Sequence, residues 1–195
     1  MAAVAADLDG DGRDESLWAM PADAGARCGV VVVSVSPGSP ASLLVHDPIF
    51  LDEVCPGSQL AAVDPDGDGR ADLALLTGAP GAPGRKLLLL WNDGAGGVTG
   101  AGASIVNAAG ESPEQFAVLP PIPARPFSLA YVTDHGVSLA SATPGRRAFA
   151  PPRTLASLSG LGSGIAAADV NGDGITDLVV ASSGNLQILT AQTRQ

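Results

Sequence analysis

Oxygen-bearing side chains recur at alternate positions in three nine-residue segments. They are Asp7-Leu8-Asp9-Gly10-Asp11-Gly12-Arg13-Asp14-Glu15, Asp64-Pro65-Asp66-Gly67-Asp68-Gly69-Arg70-Ala71-Asp72 and Asp169-Val170-Asn171-Gly172-Asp173-Gly174-Ile175-Thr176-Asp177. Side chains one, three and five of each turn toward the centre of a curl: Asp7, Asp9, Asp11; Asp64, Asp66, Asp68; Asp169, Asn171, Asp173. Glycines at four and six permit the left-handed backbone that the curl requires. Residue seven (Arg13, Arg70 or Ile175) offers a main-chain carbonyl, so its side chain is free to vary. Residue nine (Glu15, Asp72 or Asp177) closes the shell. Five or six oxygens of this kind suit a hard cation, calcium before magnesium, with water completing the coordination. In the first loop Asp14 and Glu15 compete for the closing role. Pro65 is expected to be harmless at position two, which has no evident need of an N–H.

An EF-hand would need Glu at position twelve and a helix beyond it. Position twelve is Trp18, Leu75 or Val180, each inside an apolar run. The ion is therefore expected in a turn between two strands, up to three times along the chain.

The elements that hold these turns follow from their spacing. The loops start at residues 7, 64 and 169, so the gaps are 57 and 105, the second nearly two units of about 52. A hidden repeat is expected near residue 117, and Ala117-Val118 there aligns with Ala62-Val63, followed by a second apolar run. Prolines and apolar residues replace its ligands, so this third unit has lost its calcium loop. The chain reads as one domain, 1–195, with repeats of approximately 1–57, 58–113, 114–161 and 162–195. Expected strands are 2–6, 16–20, 30–36 and 43–50; 59–63, 73–77, 86–91 and 103–106; 115–119, 128–132, 137–141 and 148–155; and 164–168, 178–182 and 185–191. Four-stranded units of about 50 residues in tandem predict an all-β fold, a β-propeller of about four blades. A β-helix is the main alternative. The Ala-rich runs before each loop, such as Ile165-Ala166-Ala167-Ala168, suit innermost strands crowded about an axis.

Composition narrows the function. Twelve of the twenty carboxylates lie in the three loops, so the formal charge of −10 reads as metal-site chemistry. No basic stripe exists to neutralise phosphates, which argues against nucleic acid; Arg85-Lys86 and Arg146-Arg147 read as solvated surface. No apolar run approaches the ~18 residues of a membrane-spanning helix. Met1 leads straight into the first repeat, and the loops suit calcium outside cells. The expected location is extracellular or at the cell surface, with a signal peptide absent from this sequence. Cys28 and Cys55 flank a predicted hairpin and either form a disulfide or remain two buried thiols. His46, in an outer strand, and His135, in a Gly turn, read as structural or solvated. Trp18 and Trp91 read as core. No catalytic constellation emerges, and Leu161-Gly162-Ser163-Gly164 lacks the spacing of a nucleophile elbow.

The segments DLDGDGRDE, DPDGDGRAD and DVNGDGITD resemble the integrin-like FG-GAP or VCBS repeat, over all four units and weakly in the third. The resemblance implies a β-propeller with calcium between the first two strands of a blade. It also implies a non-enzymatic role in adhesion, recognition of a protein or glycan ligand, or scaffolding. Such propellers often have seven blades. This chain would then be a small closed ring, part of a larger one, or half of a ring completed by self-assembly. An accessory domain of a secreted polysaccharide hydrolase or lyase, and a glycan-binding lectin, are the alternatives.

Overall fold

The computed structural model describes residues 2–21, 28–36, 42–51, 59–123, 125–158, 160 and 162–192. Among these there is no helix. Sixteen strands form four antiparallel sheets. The first comprises β1 (Ala2–Ala6), β2 (Glu15–Pro21) and β3 (Cys28–Ser36), with β4 (Ser42–Val45) and β5 (Ile49–Leu51) both paired to β3. The second runs β6 (Gln59–Val63), β7 (Asp72–Leu76), β8 (Leu87–Asn92) and β9 (Val98–Ile105). The third runs β10 (Gln115–Leu119), β11 (Ser128–Val132), β12 (Gly136–Ser141) and β13 (Arg153–Ser157). The fourth holds β14 (Gly162–Ala168), β15 (Asp177–Ser182) and β16 (Asn185–Leu189). In the second, third and fourth sheets consecutive strands pair in chain order, as a meander; in the first, β3 takes both β4 and β5.

Three expectations shift. The outer strand of the first sheet is broken at residues 46–48, where Pro48 has no N–H to give a ladder. His46 therefore lies beyond β4, its Nε2 2.8 Å from Ser34 Oγ. β9 starts at Val98, inside a Gly-rich stretch that reads as pure turn. β13 starts only at Arg153, because Pro151 and Pro152 precede it.

Strict alternation along the strands gives each sheet two faces, and successive sheets stack face to face. Leu17, Ala19, Val30 and Val32 of the first sheet pack on Leu73, Leu75, Leu88 and Leu90 of the second. The opposite face of the second sheet (Ala74, Leu76, Leu87, Leu89, Trp91) packs on Phe116, Leu129 and Tyr131. Ala130, Val132, Val137 and Leu139 of the third sheet meet Leu178 and Val180 of the fourth. The middle sheets are thus covered on both faces, which explains their near-continuous apolar runs. The end sheets are covered on one. Trp18 is 37% exposed, contrary to its reading as core, because it lies on the uncovered face of the first sheet. Trp91, between the second and third sheets, is buried.

The first strands are mutual neighbours in chain order, β1 to β6, β6 to β10 and β10 to β14. Small side chains allow this approach, and glutamines lace it together. Gln59 accepts from Phe116 N at 3.0 Å and donates to Phe116 O at 2.8 Å, as a peptide group would. Gln115 accepts from Ile165 N at 3.4 Å. Cys28 is buried and disulfide-bonded. The only other cysteine of the sequence, Cys55, lies outside the described residues. Among the described residues no helix is long and apolar enough to cross a membrane.

Candidate metal centre

All three acidic loops join the first and second strands of a sheet: β1 to β2, β6 to β7 and β14 to β15. Their hydrogen bonds are nearly superposable. Residue one accepts from the N–H of residues four and six: Gly10 and Gly12 to Asp7, Gly67 and Gly69 to Asp64, Gly172 and Gly174 to Asp169. Residue three accepts from residue five, and residue five from residue seven, in each loop. The six glycines involved have φ between 76° and 83°. Main-chain donors thus fix the side chains of residues one, three and five in each loop. In the third loop the N–H groups of Gly174, Gly172 and Asp173 hold the Asp169 carboxyl below its ordinary range.

Convergence differs between loops. Carboxylate oxygens of Asp7, Asp9 and Glu15 lie within 4.8 Å of one another, as do those of Asp64, Asp66 and Asp72. Asp11 and Asp68 stand outside these groups. The third loop has the amide Asn171 at the third position, so its positions one, three and nine offer only two carboxylates, Asp169 and Asp177; Asn171 Nδ2 donates to Asp173 at 3.1 Å. Of the two acids that could close the first loop, Glu15 is the buried one.

The closing carboxylates show what position two is for. Leu8 N donates to Glu15 at 2.8 Å, and Val170 N donates to Asp177 at 3.2 Å. Pro65 has no N–H, so the expectation that it is harmless fails. Asp72 is only 2% exposed, and its Oδ2 is buried without a partner. Its Oδ1 is served by Asn92 N at 2.7 Å, as Ala191 N serves Asp177. Burial pushes the Asp72 carboxyl up to about 7, opposed by the Asn92 bond and reinforced by Asp66. A buried carboxylate oxygen beside two further carboxylates needs a cation or a proton. These residues fit a hard divalent ion.

Neighbouring sheets brace the loops through residues that the sequence does not single out. Asn92 is fully buried at the end of β8; its Nδ2 donates to Leu8 O at 2.8 Å and Ala71 O at 3.0 Å. It therefore ties the first loop to the second. Arg147, from the β12–β13 turn, donates from Nε to Asp66 at 3.1 Å and lies 5.8 Å from the Trp91 ring centre. Arg85 is 2% exposed and pairs with Glu114 at 2.7 Å. Arg85 is therefore not the solvated surface that a basic pair suggests, whereas Arg147 is exposed as expected and still reaches a partner far away in sequence. In the third unit Arg125 reaches to within 3.5 Å of Pro120 O, a side-chain cation across the turn where the other units carry acids.

At the opposite end of the sheets, the starts of the first strands (Ala2, Gln59, Gln115, Ser163) ring a cavity of about 1100 Å³. Glu114 and His135 line it as well.

Residues 161–190 match the family model of the FG-GAP repeat. The match takes in β14, the third acidic loop, β15 and β16. The first two loops of this chain repeat the same strand–loop–strand arrangement as that FG-GAP repeat. No curated protein matches the chain.

Proposed function

We propose that the chain is a calcium-stabilised, integrin-like propeller module, non-enzymatic, that presents a surface for adhesion, recognition or scaffolding. The Asp72 carboxylate, which converges with Asp64 and Asp66 and has a bare buried oxygen among the described residues, carries this reading. The proposed ligands of three ions are Asp7, Asp9, Asp11, Glu15 and the Arg13 carbonyl; Asp64, Asp66, Asp68, Asp72 and the Arg70 carbonyl; and Asp169, Asn171, Asp173, Asp177 and the Ile175 carbonyl. The ions neutralise clusters that otherwise repel themselves, and lock the turns that begin each blade. Such sites suit extracellular calcium, which favours a cell-surface or secreted location. The cavity ringed by the first strands is the favoured seat for a protein or glycan ligand.

At about tenfold excess over Kd, each ion adds roughly 1.4 kcal/mol, and three add about 4 kcal/mol. For a chain of this size that raises Tm by roughly 10 °C. Scanning calorimetry with calcium against chelator measures it, and superimposable traces would remove calcium from the account.

The uncovered faces support a ring completed by a second copy. Counting from the loops, Trp18, Val31 and Val33 occupy the positions of Leu75, Leu88 and Leu90, which in the second sheet bury against the sheet before. Leu43, Val45 and Phe50 extend that exposed face. The fourth sheet exposes Leu186 and Ile188 beside Ala181 and Val179, the positions of Leu76 and Ala74, which bury against the sheet after. One face of each kind is left over, so two copies joined head to tail cover both. Light scattering in calcium is expected to give twice the 19.3 kDa chain mass. A monomer would leave both faces to other partners.

A further inference from the structure

Among the described residues the second loop differs from the other two in receiving a cation from a neighbouring sheet; the first has its own Arg13 beside Asp11 at 3.6 Å. The Arg147 guanidinium, delivered by the third sheet, donates from Nε to Asp66 Oδ2 at 3.1 Å, and its Nη2 lies 3.6 Å from Asp68 Oδ2. The other oxygen of Asp66 accepts from Asp68 N at 3.3 Å. Asp66 thus has a donor on each oxygen, a main-chain N–H on one and a guanidinium on the other. Asp9, at the same position of the first loop, has its Asp11 N–H at 3.0 Å but no cationic partner among the described residues. Asp66 is also one of the three acids that converge with the bare Asp72 Oδ2.

We infer that Arg147 competes with the divalent ion at the second loop, so that ion binding there must release the guanidinium from Asp66. This rests on the second loop binding calcium. An ion held by Asp64, Asp66 and Asp72 takes an oxygen of Asp66, and a guanidinium on the same carboxylate sits within a few ångströms of a double positive charge. Repulsion at that range, in a site half shielded from water, is worth more than an exposed ion pair. Release also takes the guanidinium off the Trp91 face, 5.8 Å away. Calcium at the second loop is thereby linked to the β12–β13 turn of the third sheet. The same Arg147 that balances the acids weakens the site for calcium.

Calorimetric calcium titration of the full chain tests this, with Arg147→Gln, Arg147→Lys, Asp66→Asn and the double variant R147Q/D66N. The expected result is one site roughly tenfold tighter in R147Q, with R147K between it and the parent. The gain should vanish in the D66N background. In a Trp18→Phe background, Trp91 emission should shift with calcium and lose that shift when Arg147 is Gln. A folded R147Q with unchanged or weaker calcium binding overturns the inference, because Arg147 then only braces the site; so does a gain that survives D66N. Should R147Q fail to fold, R147K bears the test: unchanged or weaker binding there has the same meaning. If the parent chain binds no calcium at all, the metal reading falls first and this one with it.

Discussion

Replacing Asp72 with Asn should stabilise the protein in chelator and destabilise it in calcium, relative to the parent. The parent carboxylate is buried, has one bare oxygen and titrates near 7 rather than at its ordinary 3.8. Its native state therefore holds a proton more tightly than the unfolded chain does. Without a divalent ion, stability should fall as pH rises from about 4 to about 7, by up to about 4 kcal/mol. An amide removes that penalty: its oxygen still accepts from Asn92 N, and its NH2 can donate to the neighbouring carboxylates. The pH slope should flatten in D72N, and stability in chelator at pH 8 should rise by about 2 kcal/mol or more. In calcium the order reverses, because the amide is a poorer ligand for a hard ion. Urea unfolding of both proteins at pH 5 and pH 8, with calcium and with chelator, reads all four corners. Parallel losses in every condition would show that Asp72 is merely a packed polar group.

Asn92→Ala should cost about 3–5 kcal/mol, one of the largest single losses outside the apolar core. The amide is fully buried; it donates to Leu8 O and Ala71 O, and its oxygen accepts from Gly94 N at 2.7 Å. Truncation strips these bonds at once from polar groups that water reaches poorly. Because Leu8 lies in the first loop and Ala71 precedes the closing Asp72 of the second, the variant should also weaken calcium at both loops and spare the third. Calcium titration followed by denaturant unfolding separates the two effects. A loss of stability with all calcium sites intact would confine Asn92 to packing.

The nine-residue pattern marks Asp72 but not its bare oxygen, and it does not mark Asn92 at all. The nine-residue loops are legible because their donors and acceptors are local: Gly10 meets Asp7 three residues away, and Asp11 meets Asp9 two residues away. The strands are legible for a similar reason. Alternating or continuous apolar runs between Gly and Pro clusters place β10 and β11 to the residue. Errors occur where context decides. Pro65 reads as harmless until Leu8 and Val170 show that residue two donates to the closing acid. Trp18 reads as core because it is large and lies on a strand, yet burial depends on whether a sheet lies over its face.

The sequence alone determined the all-β pattern of strands and the three acidic curls, because each arises from interactions within a single repeat of the chain. Tertiary structure decided which acids converge, which carboxylate is stranded and which distant side chains reach the loops. Asn92 reaches Leu8 across 84 residues, and Arg147 reaches Asp66 across 81. Such pairings follow from how one sheet stacks on the next. The energy that fixes that stacking is the burial of apolar faces, which does not depend on where any single polar side chain ends.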